Sequence, residues 1–592
     1  MDLNLLVVLA YLVVVLGLGL SMWRYARSDE GFLVGGRALG QWGVGGSVLA
    51  THVAALWLIP LAGVAYAEGG ASALAAVWLG NVGAALGAVL VVPRMRRLRM
   101  GAVGELLGTR YNRAVQLLPA LYWVALYAAA AGSAVYLVSD VVGRALVLDF
   151  WIVLAAVGLV VVVTCAAGGY LGAAYAGVFQ SFVLVLGGGV LLASVVKASG
   201  GVVAFARMTP DEWFVLWRSE GAWPTWRWAV LCGVLALPYW CASPHLVHRA
   251  LGARSVRDAS RGLVVGAFVA SGLAVCFVLA ALCGRLLYQG EVGPASPELI
   301  LPSLCRDWVP GGLGGLSLAA LVAAAQGVAG ALVCAAAAVV VNDVYRPSRP
   351  DRPGAHYAVV GRAAAAAVGL AALGYAAALR SVGEPLRVGF AVLTFLEPAL
   401  FVVVLGAVVG RLATSPGALA CLVCGAAYNA LGLFVLGHGD ATRALVQVPL
   451  CGGVLVVASL VTARRSREEA GELAQYAEFL RSGGVAWGDW RLWLGLSVAG
   501  ASALAFAAAS TGEQRLPQPH SLVVFFGLVM TFLAGVYILL PAVIGREMAE
   551  EGDRRGGVER SIAARVLGSG GVWLVFYVLA GALALLVYLM VY

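Results

Sequence analysis

Charge is the first thing this sequence has little of. Asp, Glu, Lys and Arg make up 12% of its 592 residues, against roughly a quarter in soluble domains. Lysine is nearly absent: Lys197 stands alone and the other cations are arginines. With the surplus of alanine and glycine, that bias points to a GC-rich, bacterial source. The net charge of +9 is dispersed over short loops, so it reads as a topology signal and excludes a nucleic-acid partner. No Ser/His/Asp set, phosphate loop or metal-ligand cluster is legible, which excludes an enzyme. The ten cysteines fall almost entirely inside apolar runs, where cysteine is a small hydrophobe. The Cys421–Cys424 spacing has no His or acid beside it, so neither a disulfide framework nor a metal or other cofactor is expected. No basic region precedes the first apolar run; Arg24 and Arg27 follow it. This order favours an uncleaved first helix with its N-terminus outside.

What the sequence has instead is hydrophobic length. Apolar residues reach 62%, gathered in runs of about twenty, enough to cross a hydrocarbon core of roughly 30 Å. Sixteen segments are read as spans: 3–22, 41–66, 72–92, 115–139, 149–169, 172–196, 227–245, 261–288, 313–343, 356–379, 386–411, 416–436, 442–462, 490–510, 520–546 and 567–591. Threaded from an outside N-terminus, the inner side receives Arg94, Arg96, Arg97, Arg99, Arg249, Arg254, Arg346, Arg464 and Arg554 with their neighbours. The opposite loops hold scattered singles such as Arg144 and Lys197. The bias never flips, which supports the even count and places both termini outside. The expected fold class is therefore an all-α polytopic membrane protein of about sixteen spans.

Two polar stretches interrupt the pattern. Residues 199–226 carry Trp213, Trp217, Trp223 and Trp226, an interfacial anchor or a lid. Residues 463–488, with Arg464, Arg465, Arg467, Glu468, Glu469, Glu472 and Glu478, read as a cytoplasmic amphipathic linker. Two spans cannot be plain rods. Segment 41–66 contains Pro60, and segment 227–245 contains Pro238 and Pro244. Proline frees backbone groups that must face protein or a wet cavity inside a bilayer. The two segments lie five spans apart, as in a five-plus-five inverted repeat, whose broken helices frame a transport site.

Several stretches, in order, resemble the sodium/solute symporter family, relatives of bacterial proline and sugar symporters. They are residues 31–70, 93–112 (PRMRRLRMGAVGELLGTRYN), 168–181 (GGYLGAAYAGVFQS), 244–261 (PHLVHRALGARSVRDASR), 320–346 ending NDVYR, and 410–425 (GRLATSPGALACLVCG). The resemblance implies a leading helix at 1–34, an inverted-repeat core at 41–411 and two core-associated helices at 412–462. Residues 463–488 are then a linker, and 489–592 hold three spans beyond the usual family length. It implies a solute site at mid-membrane between segments 41–66, 72–92, 227–245 and 386–411, lined by His52, Trp57, Trp78, Tyr239, Trp240 and Glu397.

Departures from the family pattern are as informative as the matches. The family's sodium lies between carbonyls of the broken first core helix, here near Ala50 and Val53, and paired hydroxyls of the eighth. Those hydroxyl positions are Gly327 and Val328, with Gln326 the nearby polar residue. The Thr-Asp pair of a second sodium site falls on Ala176 and Gly177. A desolvated hard cation needs several oxygens, so ordinary sodium coupling is not expected. His52 stands where relatives carry Asp or Asn, and it titrates near physiological pH. Intramembrane ionisable groups are functional candidates by default, and pairing of His52 with Glu397 would make a proton-coupling site. Trp57 replaces a sugar-binding Gln, and Ala76 and Leu79 replace polar sugar contacts, so sugar is not the expected cargo. The function expected is secondary transport of a small organic solute across a bacterial plasma membrane, with protons as the coupling ion or with uniport. The alternative is a sensor or membrane subunit that retains the fold, with a protein partner at the C-terminal helices.

Overall fold

In the computed structural model, the described residues are 2–53, 55–70, 73–214, 225–288, 296–382, 385–409, 412–462, 489–511 and 520–544. They form helices and no strand. The principal ones are α1 (Leu3–Ser21), α2 (Gln41–His52), α3 (Ala55–Glu68), α4 (Ala73–Leu86), α5 (Arg113–Leu146), α6 (Phe150–Ala198), α7 (Thr225–Cys241) and α8 (Pro244–Leu251). After them come α9 (Val256–Leu287), α10 (Leu313–Val339), α11 (Gly354–Val382), α12 (Pro385–Val409), α13 (Ser415–Phe434), α14 (Asp440–Thr462), α15 (Trp490–Thr511) and α16 (His520–Ile544). Each of the first fifteen apolar segments carries helix. The sixteenth, 567–591, and the linker 463–488 lie outside the described residues. Among the described residues, ten helices are long and apolar enough to cross a membrane, and α2 with α3 makes an eleventh span bent by 57°.

Helix α10 is the hub: 94% of its apolar stretch is buried, against 33% for α1. Its sequence is alanine- and glycine-rich without a polar face, as a helix surrounded by others requires. Leading helix α1 fastens to the start of α10 through the Asn4 side-chain oxygen, which accepts from the Gly312 and Gly315 backbone N–H groups, both at 2.8 Å. Helix α6 has 49 residues, or about 73 Å at 1.5 Å per residue, too long for one crossing. It divides at Gly169, whose φ of 56° and ψ of −143° leave the helical region. A side chain there would meet the Phe32 carbonyl at 2.7 Å, so glycine is required on both conformational and steric grounds. The two spans 149–169 and 172–196 thus arise from one helix broken at a residue that separates them in the sequence.

The inside arginines do more than mark topology. Arg96, 3% exposed, donates to the carbonyls of Ala253 (2.8 Å) and Arg254 (3.1 Å). Arg110 donates to Ala413 O (2.9 Å), and Arg346 pairs with Asp29 (2.7 Å). These side chains use their forked donors to close helix ends and loops whose carbonyls have no helical partner.

Both breaks lie beside the expected positions, near residues 54–60 and near Pro238. The first span breaks at Val53 (φ −78°, ψ 68°), and α3 runs on through Pro60. Pro60 lies inside α3, past its first turn, where a proline leaves the carbonyl four residues earlier without its helical donor. Pro238 likewise lies inside α7, and its carbonyl accepts from both Ala242 N and Ser243 N, each at 2.8 Å. The chain turns there, and Pro244 opens α8.

The last described helices, α15 and α16, pack on each other through Gly495, Gly535 and Ala499. Helix α16 then seats on the core. Tyr537 lies under the Arg261 guanidinium of α9 at 4.8 Å and donates to Gln41 Oε1 of α2 at 3.4 Å.

Candidate functional site

The break at Val53 leaves His52 at the end of α2 with a carbonyl free of the next turn. Trp57 Nε1 donates to that carbonyl at 2.7 Å, which satisfies it and fixes the indole beside the imidazole. Tyr239 and Trp240, at the end of α7, close the other sides. Ring centroids lie 5.4 Å (Trp57), 5.5 Å (Tyr239) and 4.6 Å (Trp240) from His52, and His52 Nδ1 is 3.3 Å from the Tyr239 hydroxyl. Trp240 is 1% exposed, whereas His52, Trp57 and Tyr239 are half-buried. Four of the six expected solute-lining residues therefore meet at the paired breaks.

Glu397 and Trp78 do not join them. Glu397, 3% exposed, accepts from Trp123 Nε1 (3.1 Å) and Ser243 Oγ (2.8 Å). The direct pairing with His52 is not formed, because Ser243 and Trp123 take its oxygens. The two groups are linked indirectly. Tyr239 packs edge-on against His245 (5.1 Å), and the Tyr127 hydroxyl lies 3.2 Å from His245 Nδ1. Trp78 instead faces Phe526 of α16 (6.3 Å between centroids), so its indole is covered by one of the added spans. The sequence reading missed Trp123, Tyr127 and Ser243. The usable signal was a set of polar groups inside otherwise apolar runs, each requiring a partner.

The ion positions are occupied by protein. Ala50 and Val53 are fully buried, and Val328 is 4% exposed. A Cβ at Gly327 would overlap the Ala50 carbonyl oxygen: α2 and α10 touch backbone to backbone. A Cβ at Gly177 would lie 3.4 Å from Ser47 Cα and 3.6 Å from Ala50 Cβ. Gln326 is turned elsewhere. It accepts from the Tyr11 hydroxyl of α1 (2.8 Å) and donates to Val157 O (3.0 Å). Gln326 therefore ties the leading helix to the hub, and it lines a small cavity with Ala176 and Gln180.

His245 and His248, three residues apart in α8, do not form a site together. Burial, with the Arg249 guanidinium adding to it, lowers the His248 pKa from 6.5 to about 3. The neutral ring donates from Nε2 to Leu33 O at 2.5 Å, while His245 bonds Tyr127. The two imidazoles serve different neighbours.

The comparisons with known proteins agree with this architecture. The Sodium/glucose cotransporter of Vibrio parahaemolyticus is 25% identical over 456 residues, covering 70% of this chain and 82% of its own length. The Sodium/iodide cotransporter of Homo sapiens is 27% identical over 366 residues, covering 57% of this chain and 55% of that protein. Among solved structures, a Na+-coupled sialic acid symporter in a substrate-bound outward-open state shares the fold. Its TM-score is 0.71 at 18% identity, over 78% of this chain and 98% of that one. Residues 32–425, more than half of the chain, match the Sodium:solute symporter family, and the chain belongs to that family of membrane solute transporters.

Proposed function

We propose that this protein is a sodium-independent secondary transporter of a small organic solute, with His52 as the proton-responsive group and the space beside His52, Trp57, Tyr239 and Trp240 as the solute site. The observation that carries this reading is the contact of Gly327 with the Ala50 carbonyl. Oxygens are missing at 327, 328, 176 and 177, and at 327 the volume is filled by backbone. A sodium ion there would have to push α2 and α10 apart and would still lack ligands. Residues 41–411 form the transporter core in this proposal, 412–462 support it, and 463–488 link it to the added spans of 489–592. The membrane is the plasma membrane of a bacterium.

A second reading, a sensor or subunit retaining the fold, draws on the docking of α16 against Trp78, Arg261 and Gln41. Counterflow separates the two. Proteoliposomes preloaded with unlabelled solute should accumulate labelled solute in sodium-free buffer; a screened panel that never shows counterflow would favour the second.

The packing argument has its own test. Gly327→Ser restores a family-like hydroxyl but forces it against Ala50. Overpacking should lower stability by about 1–3 kcal/mol, measured as a fall in Tm, without conferring sodium-dependent stabilisation. A variant that keeps its Tm and is stabilised by sodium would show that the helices separate readily to form the site.

A further inference from the structure

Glu397 and His245 stand at the two ends of a buried chain of hydroxyls. Ser243 Oγ donates to Glu397 Oε2 at 2.8 Å. The Tyr127 hydroxyl of α5 lies against Ser243 and 3.2 Å from His245 Nδ1. All four side chains are buried, and they come from α5, α12 and the turn that joins α7 to α8. Ser243 and His245 flank Pro244, which opens α8, so the second break carries a histidine as the first carries His52. Tyr239 stands between the two imidazoles, its ring centroid 5.5 Å from that of His52 and 5.1 Å from that of His245. The other ionisable groups facing the chain are Tyr122 of α5, beside Glu397, and Arg249 of α8, beside His245. A purely structural contact would need neither a carboxyl nor an imidazole, and ionisable groups inside a bilayer are costly unless they serve a purpose such as proton relay.

We propose that His245, Tyr127, Ser243 and Glu397 form a proton-exchange chain that loads and unloads the Glu397 carboxyl. Its part in carrying the coupling proton rests on the reading of the protein as a proton-responsive transporter. Ser243 is already the donor to Glu397, which suits transfer in that direction. A proton on His245 Nδ1 passes to the Tyr127 oxygen while that hydroxyl gives its own hydrogen to Ser243 Oγ and Ser243 gives its hydrogen to Glu397 Oε2. The imidazolium becomes imidazole, the carboxylate becomes a carboxylic acid, and both hydroxyls are regenerated. The reverse sequence returns the proton. Neither hydroxyl has to persist as an ion, which a buried site would strongly disfavour.

Tyr127→Phe removes one hydroxyl from the middle of the chain and keeps both ends and the ring. Two readouts are taken on the full-length protein. The first is hydrogen–deuterium exchange at the Glu397 carboxyl, followed by its infrared C=O stretch after transfer into heavy water at mildly acidic pH, with Glu397→Gln identifying the band. The second is pH-gradient-driven uptake of a counterflow-competent solute, expressed relative to counterflow. Both should fall at least about tenfold in Tyr127→Phe, because a positioned proton-transfer group is worth that much or more in rate. Ser243→Ala opens the chain at its other hydroxyl, should have the same effect, and stands in if Tyr127→Phe does not fold; Tm checks both. Absence of a Glu397 carboxyl band would overturn the inference, and so would either readout staying at the parent level in a folded variant. Exchange that depends on the chain in a parent showing no pH-driven uptake would keep the chain and remove the proton-driven reading. A parent driven by pH, with exchange and drive untouched by both variants, would do the reverse.

Discussion

Replacing His52 by alanine is expected to abolish the stimulation of solute uptake by a pH gradient while leaving counterflow measurable. The imidazole sits at the helix break, in contact with Tyr239 and between two indoles. It is the one group in the cage with a basic nitrogen that can take up and release a proton. Counterflow needs only that the site bind and reorient, whereas drive requires a proton to be carried with the cycle. His52→Ala therefore separates the two readouts. Because the ring packs against three others, alanine also leaves a cavity. His52→Gln, which preserves a polar group of similar length, distinguishes lost titration from lost packing. If pH drive persists in His52→Gln, another group carries the proton and His52 is structural.

The second large effect is expected at Glu397. Truncation to alanine removes the acceptor of two buried donors, Trp123 Nε1 and Ser243 Oγ. Each stranded buried donor costs about 1–3 kcal/mol, and the vacated volume adds a cavity penalty. The two stranded donors and the cavity together put the expected loss at roughly 3–5 kcal/mol, visible as a large fall in Tm or failure to fold. Glu397→Gln keeps the shape and one acceptor oxygen, and the Ser243 hydroxyl can rotate to accept from the new amide. That variant should stay within about 1 kcal/mol of the parent. An alanine variant as stable as the parent would place Glu397 in a wet vestibule, where water replaces the lost partners.

Much of this architecture is legible in the sequence because the bilayer imposes length and composition on every crossing. The segments from 3–22 to 520–546 could be drawn from apolar runs alone, and the two segments five spans apart, 41–66 and 227–245, are the ones whose helices break and meet. Pro60 and Pro238 sit within helices, and the turns fall beside them at Val53 and at Ala242–Ser243. His52, Trp57, Tyr239 and Trp240 came together because they flank those breaks. Glu397 was correctly sensed as buried and polar, but its partners could not be read from spacing. Trp123 is 274 positions away, and only tertiary packing brings it near. Trp78 lies on segment 72–92, which the family resemblance places at the solute site. Once α16 is in place, Phe526 covers that indole. The Tyr11 partner of Gln326 is equally out of reach of spacing, being 315 positions away in the chain.

The sodium positions are where sequence and structure reinforce each other most closely. Glycine at 327 permits the Ala50 carbonyl to close on α10, and in the sodium-independent reading proposed here that leaves the ion neither a hydroxyl ligand nor space. The most direct measurement is uptake of a counterflow-competent solute into proteoliposomes under an imposed sodium gradient and, separately, under an imposed pH gradient at constant sodium. The account predicts no stimulation by sodium and stimulation by the pH gradient that disappears in His52→Ala. Several-fold stimulation by sodium alone would contradict it, showing that the α2 carbonyls suffice and that the contact between Gly327 and Ala50 opens during the cycle.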